Sequence, residues 1–130
     1  MYDKMLVIDG LRDIEETLLH IIDRTMWVKT VEDFATTPRG IDMLDVATIR
    51  LMAVGEEIKK IDKQTKGQLL VHYSNIKWKD IMDLRNLIAH EYFQIDANII
   101  FDTVQNKVLP LLTTIQQMIS DLETLQRKIY

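Results

Sequence analysis

Residues 83–93 read Asp-Leu-Arg-Asn-Leu-Ile-Ala-His-Glu-Tyr-Phe, DLRNLIAHEYF. They close a segment running from Trp78 to about Tyr92 whose apolar residues recur at gaps of three and four, the period of a helix and not of a strand. On a wheel at about 100° per residue, Trp78, Ile81, Met82, Ile88, Ala89 and Tyr92 share one face. Arg85 breaks that face near its middle. Asn86 and His90 lie one turn apart on the adjoining polar side, with Lys79 and Asp83. Five residues separate Arg85 from His90, which sets them about 140° apart around the axis.

The same period extends in both directions. From Tyr2 to Val28 it is carried by Met5, Ile8, Leu11, Ile14, Leu18, Ile21 and Ile22. Thr30-Val-Glu-Asp33 has the form of a capping box, with Asp in place of the usual Glu, and predicts a short helical turn through Phe34. Thr37-Pro-Arg-Gly40 reads as a loop. A second long helix is expected to open at Asp42 or Asp45 and to end before Gly67, lined by Leu44, Ala47, Ile49, Leu51, Met52, Val54, Ile58 and Ile61. A last apolar series starts near Asp96, a plausible cap, and runs to Leu125. Pro110 falls inside it and predicts a kink or two abutting helices, because proline lacks a backbone donor and clashes with the preceding turn. Four or five amphipathic helices with short connections predict an all-α fold, an antiparallel four- to five-helix bundle forming one domain over residues 1–130.

Composition agrees. The chain has 130 residues, 47% hydrophobic and 28% charged, with four Gly and two Pro, too few for the many turns of an all-β fold. It has no Cys, which excludes a disulfide framework, a thiolate zinc site and a cysteine nucleophile. No apolar run approaches the ~18–20 residues of a membrane span, and the acidic start MYDKMLVIDGLRDIEE is unlike a signal peptide. A cytoplasmic protein with no membrane partner is the expectation. The net charge is −4, which disfavours a general nucleic-acid coat, but it is unevenly spread. From Arg50 to Arg85 there are eight basic residues (Arg50, Lys59, Lys60, Lys63, Lys66, Lys77, Lys79, Arg85) against five acidic ones (Glu56, Glu57, Asp62, Asp80, Asp83), a local +3 that leaves −7 elsewhere. Such a region is either a solvated run of lysines or a local hold on a phosphate backbone.

An arginine on an apolar face requires a partner, since an unpaired buried guanidinium is costly. One reading is an ion pair with a neighbouring helix, Glu56 or Glu57 being the candidates, or a stem that snorkels to water. The other is a cleft in which the guanidinium fork waits for a phosphate. His90 is either a surface histidine or a proton-transfer group near neutral pH. Arg85 and His90 together, with no cluster of carboxylates and histidines at metal spacing, suit metal-free RNA cleavage. His90 would take the proton of a ribose 2′-hydroxyl, and Arg85 would stabilise the charge that develops on phosphorus. A two-fold dimer would supply a second His90 as the acid for the leaving oxygen.

Arg85-Asn86-Leu-Ile-Ala-His90-Glu-Tyr92 resembles the Arg-x4-His-x-Tyr motif of the HEPN superfamily, specifically the HepT-like toxins of HEPN/MNT toxin–antitoxin pairs. Gly55-Glu56 resembles a glycine–glutamate pair of that family's second long helix, and Trp78 its tryptophan at the start of the motif helix. The resemblance covers the whole chain. Two departures touch the surroundings of the motif: Tyr73-Ser-Asn-Ile-Lys-Trp78 lacks a proline common in the family, and Glu57 stands where a small residue is usual.

The resemblance implies a homodimer with Arg85 and His90 of both protomers meeting in an interface cleft. It implies a metal-independent endoribonuclease with Arg85 and His90 catalytic and Asn86 and Tyr92 in support. It also implies an MNT-type nucleotidyltransferase antitoxin that AMPylates Tyr92 and thereby places negative charge where RNA phosphate must enter. No metal, cofactor or DNA partner is expected. Two other readings compete: a non-catalytic module that binds a nucleotide or a nucleotidyltransferase, and a structural dimer in which Arg85 is simply ion-paired.

Overall fold

The structure is a computed structural model that describes residues 2–129, with side chains described to Leu125. It contains six α-helices: α1 (Lys4–Thr25), α2 (Val31–Ala35), α3 (Pro38–Gln64), α4 (Trp78–Glu91), α5 (Ala97–Asn106) and α6 (Val108–Ile129). Two 3₁₀ turns, Leu70–His72 and Tyr92–Gln94, flank α4. No strand occurs among the described residues. The all-α expectation holds, with α2 as the short extra turn.

The helices pack around one apolar cluster. α1 contributes Val7, Ile8, Leu11, Ile14, Leu18 and Ile21, α3 contributes Leu51, Val54, Ile58 and Ile61, and α6 contributes Leu111, Leu112, Ile115, Met118 and Leu122. Phe34 of α2, Ile88 of α4 and Ile100 of α5 are each completely buried in it. Burying side chains of this size supplies about 1.5–3 kcal/mol apiece, which is what orders helices too short to be stable alone. Gly10, early in α1, lies against Glu57 and Ile61, late in α3. Arg12 of α1 pairs with Glu123, late in α6. Both neighbours therefore run antiparallel to α1.

Several boundaries carry their signals in side chains. Asp3 caps α1 by accepting from the Leu6 amide at 3.2 Å. The Asp33 carboxylate of α2 reaches back to accept from the amides of Lys29 and Thr30, at 2.7 and 3.1 Å, the reverse arm of the capping box. Those two donors hold its carboxyl below the usual range. α3 ends in a Schellman motif: the Gly67 amide donates to Asp62 O at 2.9 Å and the Lys66 amide to Lys63 O at 3.2 Å. Lys66 and Gly67 both have positive φ, 53° and 74°.

Two expectations fail here. Thr37-Pro-Arg-Gly40 is not a loop, and α3 does not wait for Asp42 or Asp45. The helix starts at Pro38, because Thr37 Oγ1 accepts from the Gly40 amide at 2.9 Å and proline at the first helical position needs no donor. The apolar series on either side of Pro110 is two helices, but the break falls at Lys107, not at the proline. Pro110 lies in the first turn of α6, where its missing N–H costs no intrahelical bond. On the expected apolar faces of the other helices, Met5, Ile49, Ile99 and Leu125 are exposed instead.

Candidate site on the fourth helix

α4 lies on α3, and Gly55 sets how closely. A Cβ at Gly55 would stand 2.5 Å from Arg85 Cβ and 3.2 Å from Ile81 O. Any other residue would collide with the backbone and stem of α4 at the level of the arginine. The close approach lets the Arg85 stem cross α3 and emerge at the next residue, where Arg85 Nη2 donates to Glu56 Oε1 at 3.0 Å. On the other side Arg85 Nη1 donates to Asn86 Oδ1 at 3.1 Å. Arg85 Nε is buried with no hydrogen-bond partner among the described residues.

The guanidinium is thus shelved by packing, with its tip turned to the surface. Its side chain is 28% exposed and that of Glu56 51%. The ion-pair reading of Arg85 is realised with Glu56; Glu57 faces α1 instead, beside Gly10. An arginine so placed keeps nitrogen-bound protons aimed outward, a geometry suited to a phosphate oxygen arriving from solvent.

Asn86 and His90 are exposed, one turn apart, as the wheel requires. Ala89, expected on the buried face, is exposed, so that face narrows toward the end of α4. Tyr92 caps α4 and is half-buried against the core. Its ring meets that of Phe93 edge-on at 5.6 Å and 76°. Phe93, which no motif in the sequence singles out, is 98% exposed. An aromatic directly after the motif is visible in the sequence. Its full exposure is not, because the chain leaves the helical period at Tyr92.

Trp78 opens α4, and its indole Nε1 donates to Tyr73 O at 3.0 Å, tying the preceding turn to the helix. The Tyr73 hydroxyl donates in turn to Asp121 Oδ2 at 2.7 Å. Burial, then that bond to a carboxylate, pushes the phenol well above its ordinary value. Lys59, Lys60 and Lys63 follow Glu56 at three, four and seven residues and are all exposed, so they extend from the Arg85–Glu56 pair as a basic stripe along α3. Lys79 is paired with Asp83 at 2.7 Å. On the other side of α4, a groove of about 990 Å³ is lined by Leu51, Val54, Ile81, Leu84, Leu87 and Pro110 among others, and none of Arg85, His90 and Tyr92 borders it. Among the described residues no three His, Asp or Glu side chains converge as a metal-binding group, and no described helix is long and apolar enough to cross a membrane.

An all-helical bundle that displays an Arg-x4-His motif on one helix, with the arginine shelved against a glycine–glutamate pair of the helix before it, is consistent with a HEPN-like domain. The family described as "Ribonuclease HepT-like" matches residues 11–118, and the chain belongs to that family. It is 32% identical over 114 residues to a Methanocaldococcus jannaschii protein named "Putative RNase MJ0127", covering 87% of both chains. It is 27% identical over 100 residues to "Putative RNase TTE0752" of Caldanaerobacter subterraneus subsp. tengcongensis, covering 76% of this chain and 81% of that one. No solved structure matches.

Proposed function

We propose that this protein is a metal-independent endoribonuclease, the toxin of a type II toxin–antitoxin pair, acting as a homodimer of one-domain protomers in the cytoplasm. The observation that carries this reading is the Arg85 guanidinium, shelved by Gly55 and tipped to the surface, with Asn86 beside it and His90 one turn on, in a chain of the HepT-like ribonuclease family. His90 takes the proton of a ribose 2′-hydroxyl. The 2′-oxygen attacks the adjacent phosphorus, and the bond to the 5′-oxygen of the next nucleotide breaks. The products are a 2′,3′-cyclic phosphate and a 5′-hydroxyl. Arg85 lowers the barrier by stabilising the charge on the phosphorane, and Asn86 holds one arm of the fork. The second protomer's site supplies the proton for the leaving oxygen. Lys59, Lys60 and Lys63 extend the hold on the backbone away from the reacting phosphate.

Tyr92 is the site of control. A nucleotidyltransferase antitoxin transfers AMP from ATP onto its hydroxyl, releasing pyrophosphate. The added phosphate sits near Arg85 and His90 and repels incoming RNA. A non-catalytic module that binds a nucleotide or a nucleotidyltransferase is one alternative; the engagement of Arg85 by Glu56 favours another, a structural dimer in which the arginine is simply ion-paired.

Incubation with total cellular RNA in EDTA, mass-checked for unmodified Tyr92, separates these readings. The nuclease gives 2′,3′-cyclic phosphate ends; His90→Ala abolishes cleavage and Arg85→Lys, which keeps the charge but loses the fork, lowers it at least tenfold. Intact RNA with unmodified parent protein would refute the nuclease.

A further inference from the structure

Phe93 has no part in the chemistry above, yet its position is imposed from both ends. It is the middle residue of the 3₁₀ turn Tyr92–Gln94. Tyr92 before it and Ile95 after it are half-buried against the core. The Tyr92 ring holds it edge-on. The result is a phenyl ring 98% exposed on an anchored turn, not on a loose loop. Asn86 and His90 are exposed one turn apart on α4, about 5.4 Å along the axis, and the exposed Phe93 follows His90 by three residues, just past the end of that helix.

We propose that Phe93 stacks on the nucleobase of the nucleotide whose 2′-hydroxyl His90 deprotonates. The inference rests on the nuclease reading and names how that site grips its substrate. The 2′-hydroxyl and the base sit on adjacent carbons of one ribose. A proton acceptor for the first and a stacking surface for the second must therefore stand about one nucleoside apart, and three residues of chain, about 10 Å at full stretch, keep Phe93 within that reach of His90. Unstacked bases of single-stranded RNA bind by stacking on aromatic side chains, with little preference for sequence. A second copy of the chain is the competing occupant. The residues around the ring in sequence, Glu91, Gln94, Asp96 and Asn98, are exposed and polar. Apart from the Tyr92 ring against it, Phe93 thus has polar neighbours along the chain, where the core of a protein interface favours apolar ones. The consequence is a substrate class: RNA whose base can leave its stack, in loops and single strands, with base-paired RNA spared.

The test uses an oligoribonucleotide whose cut position has been mapped with the parent protein. A second oligonucleotide carries an abasic ribose, 2′-hydroxyl intact, on the 5′ side of that phosphate. The parent should lose about tenfold or more in kcat/KM on the abasic strand. Phe93→Ala should show a similar loss on the intact strand and no further loss on the abasic one, because the two changes remove the same contact. Phe93→Trp should recover the parent's rate on the intact strand, and the oligomeric state should be unchanged in both variants. Cleavage of the intact strand by Phe93→Ala at the parent's rate would overturn the proposal, as would an abasic penalty that persists in Phe93→Ala, or a loss that tracks dissociation of a dimer. In all three cases the nuclease reading stands. Failure of the parent to cut any RNA overturns both.

Discussion

Replacing Gly55 by alanine should force α3 and α4 apart at the level of the motif. The new Cβ would lie 2.5 Å from Arg85 Cβ, 3.2 Å from Arg85 Cγ and 3.2 Å from Ile81 O. Comfortable carbon–carbon contact begins at about 3.5 Å, so the helices must separate or slide by about 1 Å. The obstacles are a backbone oxygen and the root of a side chain, neither of which can swing aside. Overpacking of this kind costs about 1–3 kcal/mol. Alanine returns about 0.8–1 kcal/mol as the better helix former, leaving a net loss of about 0–2 kcal/mol. Gly10→Ala is the matched control. There the nearest atoms are Ile61 Cδ1 at 3.3 Å and Glu57 Cδ at 3.4 Å, both far out on flexible side chains, and the propensity gain should win. Urea unfolding of the two variants beside the parent measures the difference, with Gly10→Ala equal to or more stable than the parent and Gly55→Ala below it. Activity should separate them further. Arg85 and His90 both ride on α4, and a shift of about 1 Å relative to Glu56 and to the second protomer should cost about 100-fold in kcat/KM. Gly55→Ala with the stability and activity of Gly10→Ala would refute the close-approach account of Gly55.

Glu56→Gln tests the other side of the arginine. Glu56 is about half exposed, 51%, and Arg85 28%, so the loss of the pair should move stability by about 1 kcal/mol; RNA binding should tighten, since a carboxylate no longer competes with phosphate, while kcat falls as Arg85 loses its positioning, and steady-state kinetics with neither effect would count against the shelf. The Tyr73 phenol is raised in the folded protein by burial and by Asp121. The sign follows: the unfolded phenol ionises near about pH 10 and the folded one above it, so the stability from this group is complete below about 10 and is lost as pH rises beyond. Tyr73→Phe should therefore flatten the fall in unfolding free energy between about pH 9 and 11, and parallel curves for the two proteins would exclude the effect. Lys66 occupies the left-handed region at φ 53°, where glycine is unstrained; Lys66→Gly should stabilise by about 0.5–1 kcal/mol, and a lower denaturant midpoint would contradict that.

How much could be read from residues alone is clearest at Arg85. Its place on an apolar face announced a partner, and the short list of Glu56 and Glu57 contained it. The choice between them depends on the rotation of α3 about its axis, which the Gly55 contact fixes and composition does not. The start of α3 shows the opposite failure. Proline and glycine in Thr37-Pro-Arg-Gly40 look like breakers when counted as types, but each has a position-specific meaning: proline belongs at a first helical position after a threonine cap. Gly40 is small because a Cβ there would stand 1.8 Å from Asp33 O. That is a requirement of packing between α2 and α3, which the local pattern does not express. The same holds for Phe93, whose exposure follows from a turn anchored by its two neighbours.

The ion pair of Arg85 and its proposed work on phosphate are not rival accounts. A guanidinium free in solvent would lose rotamer entropy on each encounter with RNA, on the order of 1–2 kcal/mol for a long side chain. Here the stem is already confined beneath Gly55, one arm is held by Asn86 and another by Glu56, and the buried Nε is turned away from solvent. Glu56 is more than half exposed and can yield the arm it holds when a phosphate arrives. The Arg85–Glu56 bond is then a placeholder: it sets the geometry the transition state needs, and it is weak enough, as a surface pair, to be exchanged for a phosphate contact.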